Sequence, residues 1–162
     1  MKKTLNLGCG ERVYKEYPEG YTCINLDKRS DLVGVDVIGS VEDLNSFKAN
    51  EFDYILASDI IEHFPISRTV LLLKEWARVL KHGGIIEIRT PNMEWVAEYY
   101  TRTRDAKFVS YHIFGAQDYE GNYHYVIFDP LWLTELCSEA GLMVINVERL
   151  SGSNFILRAY KK

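Results

Sequence analysis

The stretch TLNLGCG (residues 4–10) sets the reading of this chain. Leu5 and Leu7 belong to a short apolar run of the kind a buried strand carries, and Gly8 and Gly10 follow at once. Glycines at the end of a strand remove two side chains, so a ligand can pack on the backbone and meet its N–H groups. A plain strand-to-helix turn also favours glycine, so this turn alone leaves both readings open. The second apolar run sharpens the first. INLD (24–27) ends on Asp27, 17 residues after Gly10. That is close to the spacing at which an acidic residue reaches the two hydroxyls of an adenosine ribose. The alternative for Asp27 is a turn aspartate beside Lys28 and Arg29.

Outward from these two runs, strand and helix patterns alternate. Asp31–Ile38 reads as a third strand and Phe52–Ala57 as a fourth. Ile66 to Leu80 places Val70, Leu73, Ala77 and Leu80 on one helical face, widened by Leu71, Leu72, Trp76 and Val79. Gly83-Gly84 reads as the end of that helix and Ile85–Ile88 as a fifth strand. A helix is expected from Met93 to about Tyr100, then an irregular connection over 101–125. Asp129-Pro130 is a helix start, a capping acid followed by proline at the first helical position. Trp132, Leu133, Leu136, Cys137 and Ala140 form its expected buried face, and Gly141 closes it. Met143–Val147 and Phe155–Tyr160 flank a Ser151–Asn154 turn, a hairpin signal that makes the last strand antiparallel. Strands alternating with helices imply a parallel sheet covered on both faces.

Bulk properties narrow the function. The chain has 162 residues, 47% of them apolar, which suits one compact domain with a real core. The formal net charge of −4 argues against a dedicated nucleic-acid binder. No apolar run reaches the roughly 18 to 20 residues of a membrane span. Met1-Lys2-Lys3-Thr4 leads straight into the first strand with no apolar export segment, and Cys9, Cys23 and Cys137 lack a metal-ligand spacing. A reduced, cytoplasmic protein without a bound metal is the simple expectation. Six of the 11 tyrosines fall between residues 99 and 125, either as a cover over the core or as a substrate-contacting surface.

The succession LNLGCG, INLDKR, VIGSVEDL, FDYILASDIIEHF and RVLKHGGIIEIRTPN resembles class I S-adenosylmethionine-dependent methyltransferases over nearly the whole chain. It is most similar to a group of short bacterial members associated with surface-polysaccharide genes, whose GAQDYEGNYHY-like segment stands here at residues 115–125. The resemblance implies an α/β fold: a single Rossmann-like methyltransferase domain over residues 1–162. Its mostly parallel seven-stranded sheet would end in an antiparallel strand, with helices on both faces and residues 93–128 as a substrate-side insertion. S-adenosylmethionine is the implied cofactor. Gly8, Cys9 and Gly10 would line its methionine half, Asp27 would grip the ribose, Ser40 and Val41 would flank the adenine, and Ser58 would sit near the sulfonium. Glu62-His63 would face the acceptor. The chain departs from the family in lacking a third glycine, where Glu11 and Arg12 stand, and Pro18–Gly20 leave room for only a short first helix.

The implied reaction is methyl transfer to a small-molecule or glycan-type acceptor, most naturally at oxygen. A hydroxyl acceptor benefits from a base titrating near neutral pH, and histidine is the natural choice. His63 and His124 compete for that role, His112 trails them, and His82 in the LKHGG turn reads as structural. Asp59 is a further acceptor-orienting group or a helix cap. Arg102, Arg104 and Lys107 would attract an anionic acceptor, or simply form a solvated helix end. Two other classes stay in view: a non-catalytic cofactor-binding regulatory or scaffold protein of the same fold, and a nicotinamide oxidoreductase, against which the incomplete glycine fingerprint counts.

Overall fold

The computed structural model describes residues 1–119 and 121–162. Among them, one sheet comprises β1 (Lys2–Leu7), β2 (Tyr21–Asp27), β3 (Val37–Ile38), β4 (Phe52–Ser58), β5 (Leu80–Pro91), β6 (Leu142–Arg149) and β7 (Asn154–Lys161). The helices are α1 (Ile66–Val79), α2 (Met93–Thr103), α3 (Ala106–Phe114) and α4 (Pro130–Glu139), and a 3-10 turn spans Ile61–His63. Strand order is β3-β2-β1-β4-β5-β7-β6. The β2, β1, β4 and β5 pairings are parallel, and β7 runs antiparallel to both neighbours. This is the expected Rossmann-like sheet with its reversed final strand. The order switches direction between β1 and β4, so the crevice beyond Leu7 and Ser58 is where such a sheet binds ligands.

Period-two alternation sorts the strand side chains. Leu5, Leu7, Ile55, Ala57, Ile86, Ile88, Phe155, Leu157 and Ala159 join Leu72, Leu73 and Trp76 of α1 and Leu133, Leu136 and Cys137 of α4 in one buried cluster. Trp76 anchors the layer by donating its indole N–H to the Val41 carbonyl (2.9 Å). The opposite face is polar where it is covered by the 11–20 connection. Asn25 bonds both the N–H and the carbonyl of Tyr14 (3.0 and 2.9 Å), and Tyr17 and Tyr54 both donate to Glu87 (2.6 and 2.8 Å). The short first helix expected there is absent. Pro18, Gly20 and the Asn25 bonds hold this segment in turns with a single bridge, Glu16 to Thr22.

Four further expectations are corrected. The third strand shrinks to Val37–Ile38, because Gly34 takes a left-handed φ of 88° and Asp36 turns its carboxylate onto Asn25. Helix α1 stops at Val79, and Gly83-Gly84 lie inside β5 rather than ending the helix. The pairing jumps from Phe52–Leu80 to Tyr54–Ile85, and a side chain on Gly84 would meet the Lys81 and Asp53 carbonyls at 2.9 and 3.1 Å. Glycine serves this bulge. Residues 101–125 contain α3, started by the Asp105 carboxylate on the Phe108 N–H (3.0 Å). Trp132, expected in the core, is 36% exposed. The Asp129 cap and Pro130 start of α4 are as expected, with Asp129 accepting from the Trp132 N–H (2.8 Å).

Candidate active site

Three parallel strands deliver their carboxyl ends to one place. Gly8 and Gly10, just past β1, both hold left-handed φ values (61° and 54°). The Cys9 N–H donates to the Leu26 carbonyl (3.0 Å) and the Gly39 N–H to the Asp27 carbonyl (3.0 Å), which locks the ends of β1, β2 and β3 together. Asp27 is 6% exposed. One of its oxygens accepts the Gly10 N–H (2.8 Å), and the other accepts the Arg29 N–H (3.0 Å), with the Arg29 guanidinium 3.5 Å away. A carboxylate offers about four acceptor positions, so each oxygen retains one for a hydroxyl donor.

The glycines divide their roles. A side chain on Gly8 would run into Ile60 at 2.6 Å, whereas one on Gly10 would meet only the mobile end of Arg29 at 3.3 Å. Gly10 therefore supplies the open cradle and Gly8 the close packing beneath it. A glycine cradle beside a part-satisfied carboxylate fits an adenosine-bearing cofactor. Cys9 is buried, and that burial pushes its thiol up to about 11, so it stays protonated. Ser40 is exposed just past β3, with its hydroxyl on the Glu42 N–H (3.2 Å). Val41 points into the core cluster.

At the end of β4, Ser58 and Asp59 enter a charged knot. Asp59 pairs with Arg12 (2.9 Å) and Arg89 (2.5 Å) and accepts from the Asn154 amide (2.6 Å). Ser58 lies between Arg12 (3.3 Å) and Asp59 (3.2 Å). Both Asp59 oxygens are taken up by these partners, so this knot positions the loop. Arg89 and Asn154 carry no local signal in the sequence. They reach Asp59 because β5 and β7 pair across Pro91 and Asn154.

Beyond the knot, the 3-10 turn brings up Glu62 and His63, and the segment after α3 brings His124 onto them. The His63 and His124 rings meet edge to face with centroids 4.9 Å apart. His63 donates Nδ1–H to the Tyr123 carbonyl (3.0 Å), and His124 does the same to the His112 carbonyl (2.9 Å). Carbonyls only accept, so each neutral ring keeps its lone pair on Nε2. Burial lowers both imidazoles from the usual histidine value. Glu62 is buried, and desolvation, helped by the Asp59 charge, pushes its carboxyl up to about 8. Its Oε2 accepts from Thr90 (3.0 Å), while Oε1 has no hydrogen-bond partner among the described residues.

Two other histidines lie elsewhere: His82 caps the Lys162 carbonyl, and His112 bonds back to Phe108 within α3. The segment 115–125 spans both halves of the site, with Glu120 outside the described residues. Tyr119 lies under the Arg29 guanidinium (5.2 Å), Gly121 abuts Lys28, and the Tyr125 N–H donates to the Glu62 carbonyl (2.9 Å). Tyr99 packs on Trp95 and Phe108, whereas Tyr100, Tyr111, Tyr119, Tyr123 and Tyr125 are exposed. Arg102 and Arg104 rest over Tyr99 and Tyr100. Among the described residues, no helix is long and apolar enough to cross a membrane.

The sequence profile of the family described as "Methyltransferase domain" matches residues 5–88, which is just over half of the chain. No curated protein matches the sequence. Several solved structures are similar. A SAM-dependent methyltransferase from Archaeoglobus fulgidus superposes with a TM-score of 0.70 at 16% identity, over 99% of this chain and 86% of that one. A SAM-dependent methyltransferase from Thermotoga maritima, described as a possible histamine N-methyltransferase, gives 0.69 at 21% identity over 100% and 83%. The 1,6-didemethyltoxoflavin-N1-methyltransferase of Burkholderia thailandensis, solved with its substrate and S-adenosylhomocysteine, gives 0.70 at 14% over 99% and 71%. At these identities the likeness is one of fold.

Proposed function

The chain belongs to the methyltransferase-domain family and is an S-adenosylmethionine-dependent methyltransferase, and we propose that it methylates a small-molecule or glycan-type acceptor at oxygen. One observation carries the oxygen reading: the His63 and His124 rings meet edge to face at 4.9 Å, and with both Nδ1–H groups on backbone carbonyls each ring keeps a bare Nε2. An amine acceptor needs only to be desolvated and aligned, whereas a hydroxyl gains from a positioned base. When bound, the cofactor supplies a methyl on a sulfonium, and transfer to a hydroxyl forms an O–C bond, breaks the S–C bond and releases one proton. That proton passes to Nε2 of His63 or His124 and thence to solvent. Lowered imidazole affinities keep the rings neutral at neutral pH, as a base must be.

In this reading Gly8, Cys9 and Gly10 carry the methionine half through their backbone, Asp27 accepts from the ribose hydroxyls, and Ser40 with the Val41 backbone borders the adenine. Ser58 stands near the sulfonium. Asp59 serves as a positioning residue, since its lone pairs are committed to Arg12, Arg89 and Asn154. Residues 93–128 are the acceptor-side insertion of a single domain. The exposed tyrosines of that insertion suit the apolar face and hydroxyl rim of a sugar. The test is transfer of labelled methyl from S-adenosylmethionine to a panel of sugars, sugar phosphates, phenols and amines. Labelled ethers from the hydroxyl compounds, lost in the His63→Ala/His124→Ala double variant, support the reading. Methylation of amines alone, unchanged in that variant, overturns it.

A further inference from the structure

We propose that Glu62, His63 and His124, drawn together at the acceptor-side mouth, form a binding site for a first-row divalent cation of the Zn²⁺ class. One side-chain ligand atom from each of the three lies within 4.8 Å of the others. Both imidazoles are already set as ligands. Their Nδ1–H groups are fixed on the backbone carbonyls of Tyr123 and His112, leaving Nε2 bare, which is the arrangement that orients metal-bound histidines. Glu62 supplies the independent sign. It is 1% exposed, Thr90 holds one of its oxygens, and the other is buried without a partner among the described residues. A buried carboxyl oxygen left without any hydrogen-bond partner is anomalous, and a cation taking the place of the carboxyl proton would satisfy it.

The frame is stiff enough to be specific. His63 follows Glu62 in the 3-10 turn, and the Tyr125 N–H on the Glu62 carbonyl (2.9 Å) pins His124 across from them. Asp59 adds negative charge to the surroundings without being a ligand, because Arg12, Arg89 and Asn154 hold its oxygens. Two imidazole nitrogens and one carboxylate are a donor set that Zn²⁺ takes and Mg²⁺ or Ca²⁺ do not favour. Tetrahedral bonds of about 2.1 Å would place the donor atoms about 3.4 Å apart, so side-chain rotations must close at most about 1.4 Å. Three protein ligands leave a fourth position for an oxygen. What the cation would do there, hold a hydroxyl of the acceptor and ease its proton loss to solvent in place of the imidazole bases whose Nε2 atoms it would occupy, rests on the proposed methylation at oxygen; that it binds does not.

The full chain, stripped with a chelator and dialysed, is titrated with Zn²⁺ against a chromogenic chelator and separately with Co²⁺ while visible absorption is followed. One equivalent of Zn²⁺ bound with submicromolar affinity, and the strong visible bands of four-coordinate Co²⁺, are expected. Glu62→Gln, His63→Ala and His124→Ala should each weaken Zn²⁺ at least tenfold, with calorimetric binding of S-adenosylhomocysteine retained as the check on folding. His124→Ala, on a half-buried loop position, decides the matter if Glu62→Gln does not fold. Stoichiometric binding that is absent, that survives His63→Ala/His124→Ala, or that prefers Mg²⁺ overturns the site. Zn²⁺ bound as described while methyl transfer persists in chelator upholds the site, overturns its role at the acceptor and leaves the imidazole-base reading intact. Zn²⁺ bound as described with no hydroxyl compound methylated upholds the site and overturns the acceptor reading.

Discussion

The two halves of the crevice are assembled over different distances along the chain. At the proposed cofactor half, Gly10 meets Asp27 and Asp27 meets Arg29, partners 17 and 2 positions apart at the ends of β1 and β2. At the proposed acceptor half, His63 meets Tyr123 across 60 positions, and Asp59 meets Asn154 across 95. The first half depends on one parallel pairing, β1 with β2, and its geometry follows from the sheet alone. The second needs the 3-10 turn, the α3 insertion and the β5–β7 pairing to arrive together. Chemistry placed on short-range geometry is the part that tolerates change around it; chemistry placed on long-range closure is the part that a new insertion can re-aim at a different acceptor.

If the halves are separable in function, the largest effect belongs to the acceptor side. The His63→Ala/His124→Ala variant should lose about 10²- to 10⁴-fold in methyl-transfer rate, the usual size of a general-base contribution. Calorimetry should find its affinity for S-adenosylhomocysteine within about twofold of the parent, which is ~0.4 kcal/mol. A large loss of cofactor affinity in that variant breaks the separation. The mirror experiment is Asp27→Ala, which should weaken S-adenosylmethionine at least tenfold, or about 1.4 kcal/mol. Its turnover at saturating cofactor should stay close to the parent's. Tight binding retained by Asp27→Ala would remove the ribose role and return Asp27 to a turn residue.

Asp59 tests where the boundary runs, because it joins Arg12 of the β1–β2 connection to Arg89 and Asn154. Arg12 is 58% exposed and Arg89 29%, so solvent screens much of the attraction. Asp59→Ala should therefore lower stability by only about 1 kcal/mol, read as a shift of the urea midpoint with unchanged slope. A shift several times larger would mean that the knot holds both halves in place, and that they are not independent.

The same contrast explains what could be read in advance. The glycine turn and Asp27 lie at a spacing that the β1–β2 pairing converts directly into contact, and Asp129-Pro130 start their helix through local geometry. Gly83-Gly84 misled, because a helix-stop pair and a bulge pair look alike until the opposing strand is known. Asp105 caps α3 from within a stretch rich in exposed aromatics, where an irregular connection is expected. At the acceptor half, His63 and His124 were named as rivals, and the fold makes them neighbours. Arg89, Thr90 and Asn154 had no local sign at all. Their role comes from which residues of β5 and β7 stand opposite one another.

The segment 115–125 is the contact that both halves share, and it yields the smallest effect. Tyr119 supports the Arg29 guanidinium at 5.2 Å, and Arg29 in turn lies beside Asp27. An exposed cation–π pair contributes about 0.5–1 kcal/mol. Tyr119→Ala should thus weaken cofactor binding about two- to fivefold, while Tyr119→Phe, which keeps the ring, should not. If Tyr119→Ala also lowers turnover at saturating cofactor, the ribose end and His124 are coupled. If it lowers affinity alone, the segment only covers the cofactor, and the acceptor half is set by the 3-10 turn and by α3.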